Sequence, residues 1–142
     1  MFLIYEYNMK YILVILLIIF IIYMYVSKKR HLFYGQIMTT PEQLKQGLMY
    51  RKHKLQDDEG MLFAMKHQSL ANSVWMKHTY LSLDVIFLDD SMKIIDYVEN
   101  TTPLSTKSIT SNESSSYILE MNQGSVKKHK LNKGDFIYFT EV

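Results

Sequence analysis

Arg51, Lys77, Asp84, Glu120 and Asp135 each sit inside or beside a short apolar run, and the lone tryptophan, Trp75, stands two residues before Lys77. Burying a charge without a partner is costly, so such residues either pair with one another or line a cleft. As ligand chemistry, Arg51 and Lys77 would hold a small anion or a carboxylate-bearing molecule, while Asp84 or Glu120 would accept a proton or a ligand amine. As architecture, the same charges would form an ion-pair network that fixes strand register, and this plainer reading ranks first because structural networks also produce such clusters. Trp75 offers a flat apolar face on which a sugar or base could stack. Flanked by Val74 and Met76, it reads more economically as a core residue.

Other chemistries are excluded or unsupported. The chain has no cysteine, which removes a thiol nucleophile, a thiolate metal site, a disulfide and a lipidated amino-terminal Cys. His53, His67, His78 and His129 show neither close metal-ligand spacing nor a zinc-protease pattern, so no metal is expected. A phosphate-cradling glycine loop, a dinucleotide fingerprint and a nucleophilic-serine elbow are all missing, and no cofactor is expected. The pI of 8.6 suggests nucleic acid until the charges are placed. Lys10, Lys28, Lys29 and Arg30 flank an apolar segment, which leaves 12 basic and 13 acidic residues from position 31 onward, a net of −1. Nucleic-acid binding is therefore not expected. The cluster Lys127-Lys128-His129-Lys130 would suit anionic headgroups or an acidic partner, or simply a solvated helix face.

The elements that position these residues begin with a hydrophobic stretch. Tyr11 to Val26 carries no charge, glycine or proline. As a helix it would run roughly 24 Å, which approaches the ~30 Å hydrocarbon layer if Lys10 snorkels and Ser27 is counted. The expectation is a single-pass transmembrane anchor over residues 1–31, bounded by Tyr11 and Val26 and flanked by Lys28, Lys29 and Arg30, with the lipid bilayer as partner. A cleaved export signal is the rival, disfavoured by an amino-terminal MFLIYEYN without basic residues and by the lack of a small-residue cleavage pattern. The basic flank would place residues 32–142 on the cytoplasmic side. Two sequons, at Asn100 and Asn112, would point the other way.

Residues 32–142 suffice for one core. Thr40-Pro41-Glu42-Gln43 is a capping box with proline at the first helical position, and predicts a short helix to about Tyr50 with Leu44 and Leu48 on one face. Gly60 to Phe63 is a compact apolar run, and Ser73 to Thr79 alternates enough to be a strand. Leu83–Leu88 and Met92–Val98 form a hairpin across Asp89-Asp90-Ser91. Ten of the 16 residues in 101–116 are Ser or Thr, a solvated loop interrupted by Ile109. A strand over Tyr117–Met121, a short basic helix over Gly124–Lys130 and a final strand over Asp135–Thr140 complete an α+β fold, mainly antiparallel, with a barrel-like or sandwich-like sheet.

The order of short motifs then becomes informative. Gly47-Leu48-Met49-Tyr50-Arg51, Gly60-Met61-Leu62-Phe63, Trp75-Met76-Lys77-His78-Thr79, Leu83-Asp84-Val85-Ile86-Phe87, Tyr117-Ile118-Leu119-Glu120 and Gly134-Asp135 together resemble the domain of unknown function 192 family over residues 37 to 140. The resemblance implies a compact β-rich fold with short helices, often behind an export signal or anchor, and no established catalytic activity. His78 departs from the Asn usual in the third motif, and Ser82 from a common Pro before Leu83-Asp84. Those departures put in doubt any site that needs that amide or that rigid turn. The leading functional expectation is a non-enzymatic accessory module that binds a protein partner or small polar ligand near a membrane. The rival is a small tethered enzyme acting on a polar or sugar-like ligand through Arg51, Lys77, Asp84 and Glu120, provided these four meet at one point.

Overall fold

A computed structural model describes residues 2–26, 28–65 and 73–142. Ser27 and His67, both weighed above, lie outside them. The chain opens with helix α1 (Phe2–Val26), whose side chains from Met9 to Met24 stand largely exposed. The expected membrane span is overturned: among the described residues no helix is long and apolar enough to cross a membrane. The physical reason is length. Lys10 and Lys28 confine the uncharged run to Tyr11–Val26 and its neighbour Ser27, about 24 Å for the run itself against a layer of ~30 Å. The single-pass placement of the protein, and the orientation argued from the basic flank, fall with it.

The domain is mainly β with short helices, as the sequence implied. Strands β1 (Arg30–Met38), β2 (Glu59–Ala64), β4 (Leu83–Leu88), β5 (Ile94–Val98), β7 (Tyr117–Asn122) and β8 (Phe136–Glu141) form one sheet in the order β5-β4-β7-β2-β1-β8. β3 (Ser73–Val74) and β6 (Ile109–Thr110) make a separate two-stranded ribbon. The large sheet curls until its outer strands meet: the Ile94 amide donates to the Asp135 carbonyl at 2.9 Å, and the Ile137 amide to that of Met92, also at 2.9 Å. With these bonds and the Lys93–Phe136 bridge, both edges that would template aggregation are partly paired.

Pleating distributes the side chains between two cores. Leu83, Val85 and Phe87 enter one cluster with Met61, Phe63 and Ile118, and Ile86 and Leu88 enter another with Phe33, Leu62, Leu119, Met121 and Ile137. That alternation is why all six residues of β4 are buried: both of its faces are packed. The second cluster is the barrel interior, closed at one end by Val126 of α3 (Ser125–His129) and by Leu131. The first lies outside the barrel wall, beneath α2 (Pro41–Gln46) and the β3–β6 ribbon, which contribute Leu44, Val74 and Ile109.

Local expectations hold where local chemistry decides. The capping box forms, with the Gln43 amide donating to Thr40 Oγ1 at 3.3 Å and Gln43 Oε1 accepting from the Thr40 amide at 3.1 Å. The Asp89 carboxylate accepts from the amides of Ser91 at 2.9 Å and Lys93 at 3.0 Å, closing the hairpin turn. Two differences stand out. The helix predicted to about Tyr50 stops at Gln46, because Gly47 takes φ +44° and the chain continues as a turn. The strand expected over Ser73–Thr79 shrinks to Ser73–Val74, because its strand partner among the described residues is the two-residue β6.

β1 itself was not anticipated, and its pairings with β2 and β8 are parallel where antiparallel ladders were expected. It begins at Arg30, inside the stretch read as a basic membrane flank. Lys29 is likewise tied down, its amide donating to Asp135 Oδ1 at 3.1 Å and its carbonyl accepting from Phe136 at 2.8 Å. Gly35 explains how β1 approaches β2 so closely: at φ +148°, a Cβ there would lie 1.9 Å from the Gly60 carbonyl oxygen. Gly35→Ala is therefore expected to cost on the order of 3 kcal/mol or more in denaturant unfolding, and an unchanged midpoint would contradict this contact.

Candidate functional site

Period-2 geometry decides which of the charged residues can meet. Along β7, Ile118 and Glu120 face the outer core, and Leu119 and Met121 face the barrel interior. Along β4, Asp84 shares the interior face with Ile86 and Leu88. Asp84 and Glu120 therefore lie on opposite faces of the same sheet and cannot act on one ligand atom.

Asp84 is sealed at 0% exposure and already satisfied. Its Oδ1 accepts the Asn100 amide at 3.0 Å and its Oδ2 accepts the Val126 amide at 2.9 Å, so it pins the loop after β5 and the first turn of α3 to the sheet. Arg51 turns away to the head of β2, where its guanidinium donates to the His53 carbonyl at 3.0 Å and approaches Glu59 Oε1 at 3.5 Å. Asp135 accepts the amides of Lys29 and Asn132, at 3.1 and 3.0 Å, with His31 Nε2 at 3.3 Å. Burial alone would raise its pKa, but these donors outweigh it and hold the carboxyl below its ordinary value. Three of the five charges thus have partners of their own within the fold.

Glu120 is different. The residue is 5% exposed, its strand neighbours across the ladders are Met61 and Val85, and among the described residues no hydrogen bond or ion pair reaches its carboxyl. Burial pushes its pKa up to about 8, so the neutral acid predominates at neutral pH. The carboxyl opens onto a cleft of about 70 Å³ between α2 and the ribbon, walled by Leu44 to Met49, Phe63, Met65, Ser73, Val74, Trp75 and Thr79. Trp75 stands at its rim, not in the core, at 44% exposure, with the Lys77 ammonium 5.2 Å from the ring centroid. Trp75 and Glu120 thus share a cleft, Lys77 reaches it only through Trp75, and Arg51 and Asp84 are elsewhere.

Thr79 and Lys45 line the cleft although the sequence did not single them out. Thr79 ends the Trp75 motif and could have been included on that ground; Lys45, on the exposed side of a short helix, carried no signal. Both family departures are accommodated. His78 adopts φ +58°, the left-handed region that Asn tolerates best, and keeps its carbonyl bonded to the Tyr50 amide at 2.8 Å while its ring stacks on Tyr50. Ser82 replaces a rigid turn with a hydroxyl that donates to the Thr101 carbonyl at 2.6 Å. Among the described residues no three His, Asp or Glu side chains gather closely enough to hold a metal ion.

Fold and cleft together define a mixed-sheet β domain whose outer strands meet, with the buried acid Glu120 at a groove lined by both polar and apolar groups. The chain belongs to the domain of unknown function 192 family, described as an uncharacterized ACR, whose model matches residues 23–139. Among solved structures it is similar to a protein from Sinorhizobium meliloti, described as a candidate transcription regulator, with 38% identity and a TM-score of 0.67 over 72% of this chain and 78% of that one. A protein of unknown function from Novosphingobium aromaticivorans is similar at 26% identity and a TM-score of 0.66, over 72% of this chain and 71% of that one. No curated protein matches the chain.

Proposed function

We propose that this domain is a non-enzymatic binding module that takes the end of a small polar ligand into the Glu120 cleft. The observation that carries this reading is the buried Glu120 carboxyl, which has no partner among the described residues and lines the cleft. A buried polar group left unpaired costs roughly 1–3 kcal/mol, and a ligand group that pairs with it returns that energy as affinity. The enzyme reading loses its main support, since Arg51, Lys77, Asp84 and Glu120 do not converge. Its remaining support is a carboxyl with a pKa near neutrality, which suits a general acid. The candidate regulatory role of the Sinorhizobium protein fits a ligand-sensing module.

Lys77→Met separates ligand binding from architecture. The contact that the described residues show for the ammonium is the exposed indole face of Trp75, so its loss is expected to change stability by about 0.5–1 kcal/mol. Ligand-induced shifts of the Trp75 indole and Thr79 amide signals in a small-molecule screen of the full chain should, by contrast, weaken severalfold. A variant that loses several kcal/mol of stability instead assigns Lys77 to the fold, and a screen in which no compound moves those signals argues against the binding role.

A further inference from the structure

We infer that the group recognised at the bottom of the Glu120 cleft is an uncharged carboxamide or lactam edge, an inference that rests on the binding role proposed for this cleft. Glu120 is walled by Met61, Val85 and Ile118 and has no cation within pairing distance among the described residues, so nothing there stabilises a carboxylate. A protonated carboxyl presents an O–H donor and a C=O acceptor side by side. A cis amide edge presents the complementary C=O acceptor and N–H donor at the same spacing, so the two close a planar ring of two hydrogen bonds. Such a match pairs both polar groups of the carboxyl with both groups of the amide edge.

The mouth of the cleft argues against charged alternatives. Lys45 of α2 lines it, and the Lys77 ammonium already occupies a face of Trp75. An ammonium ligand would pass two like charges and find that cation–π face taken. A carboxylate would be drawn to those lysines, but at the bottom it would be desolvated against the Glu120 carboxyl, which is flanked by apolar Met61, Val85 and Ile118. The cleft, at about 70 Å³, admits one flat terminal group, with the remainder of the ligand lying outside along Trp75 and Lys45.

The test is a titration of the isotopically labelled full chain with acetamide, 2-pyrrolidinone, methylammonium, acetate and ethylene glycol, read at the Trp75 indole and the Ser73 and Thr79 amides. At about pH 6.5 the two amide probes are expected to move these signals most. With Glu120 ionising near pH 8, their affinity should drop about thirtyfold by about pH 9.5, where only a small competent fraction remains. Glu120→Gln keeps a donor and an acceptor, so it should bind within about threefold of the wild type and lose that pH dependence. Because the variant retains Lys45 and Lys77, any titration of those groups remains in its profile and is separated from that of Glu120. Glu120→Leu should bind at least about tenfold more weakly. Larger shifts from methylammonium, acetate or ethylene glycol overturn the amide assignment and leave the binding role standing. Silence from all five probes overturns both.

Discussion

The contribution of Glu120 makes this domain lose stability as pH rises from about 4.5 to about 8, and Glu120→Gln removes that slope. The sign follows from proton linkage. Burial raises the folded pKa above its ordinary value of 4.5, so between 4.5 and about 8 the native state holds a proton that the unfolded chain has released. Unfolding therefore becomes progressively easier through that window and levels off above it. A shift of this size corresponds to an upper bound on the order of 4–5 kcal/mol, reduced where water enters the cleft. Asp135 acts in the opposite sense. Its pKa is held below the ordinary value, so its stabilisation is complete above the usual carboxylate range and is lost only as pH falls through the folded value. Together these two contributions are greatest on the acidic side of neutrality. In denaturant unfolding, wild type and Glu120→Gln should have their most similar pH dependence below about pH 5 and diverge steadily toward pH 8. Parallel profiles would show that Glu120 is paired or hydrated in solution.

Asp84→Ala is expected to be the most damaging substitution of a charged residue in the domain. It removes the acceptors of two amides, Asn100 and Val126, at a position with no solvent to replace them. Leaving two buried donors unpaired costs on the order of 3–5 kcal/mol, a large fraction of the 5–15 kcal/mol typical of a whole domain. Asp84→Asn keeps one acceptor oxygen and turns an NH2 toward the other amide, so it should fall between alanine and wild type. Hydrogen exchange distinguishes this anchor from general softening: the Asn100 and Val126 amides should lose protection first, ahead of those in β4 and β7. A variant of near-native stability, with both amides still protected, would show that other groups hold the loop and α3 in place. The same measurement bears on function, since a carboxylate already saturated by backbone donors is not free to accept the proton or ligand amine that the enzyme reading required of Asp84.

What was legible in the residues is what nearest neighbours decide. The Thr40–Gln43 capping box, the Asp89 turn and the apolar run of β4 are settled within a few positions, by side chains bonding adjacent amides or by continuous β propensity. The order of motifs was equally readable, and it identified the family. The charged residues inside those motifs were rightly singled out as buried or half-buried, but their roles were not separable, because burial alone does not say which face of a sheet a side chain joins. The transmembrane reading rested on an apolar run that stops short of the bilayer thickness, and it did not survive.

Tertiary structure alone decided the rest. β1 finds β2 and β8 in parallel across long sequence separations, through a Gly35–Gly60 approach that carries no local signal. The parity of residues along β4 and β7 sends Asp84 into the barrel interior and Glu120 toward the cleft, so that one acid became an anchor and the other was left without a partner. Sequence by itself determined the residue types, the turns and the propensity for strands, all of which are properties of short segments. Register and closure are properties of distant segments meeting, and they chose which of those residues face a ligand.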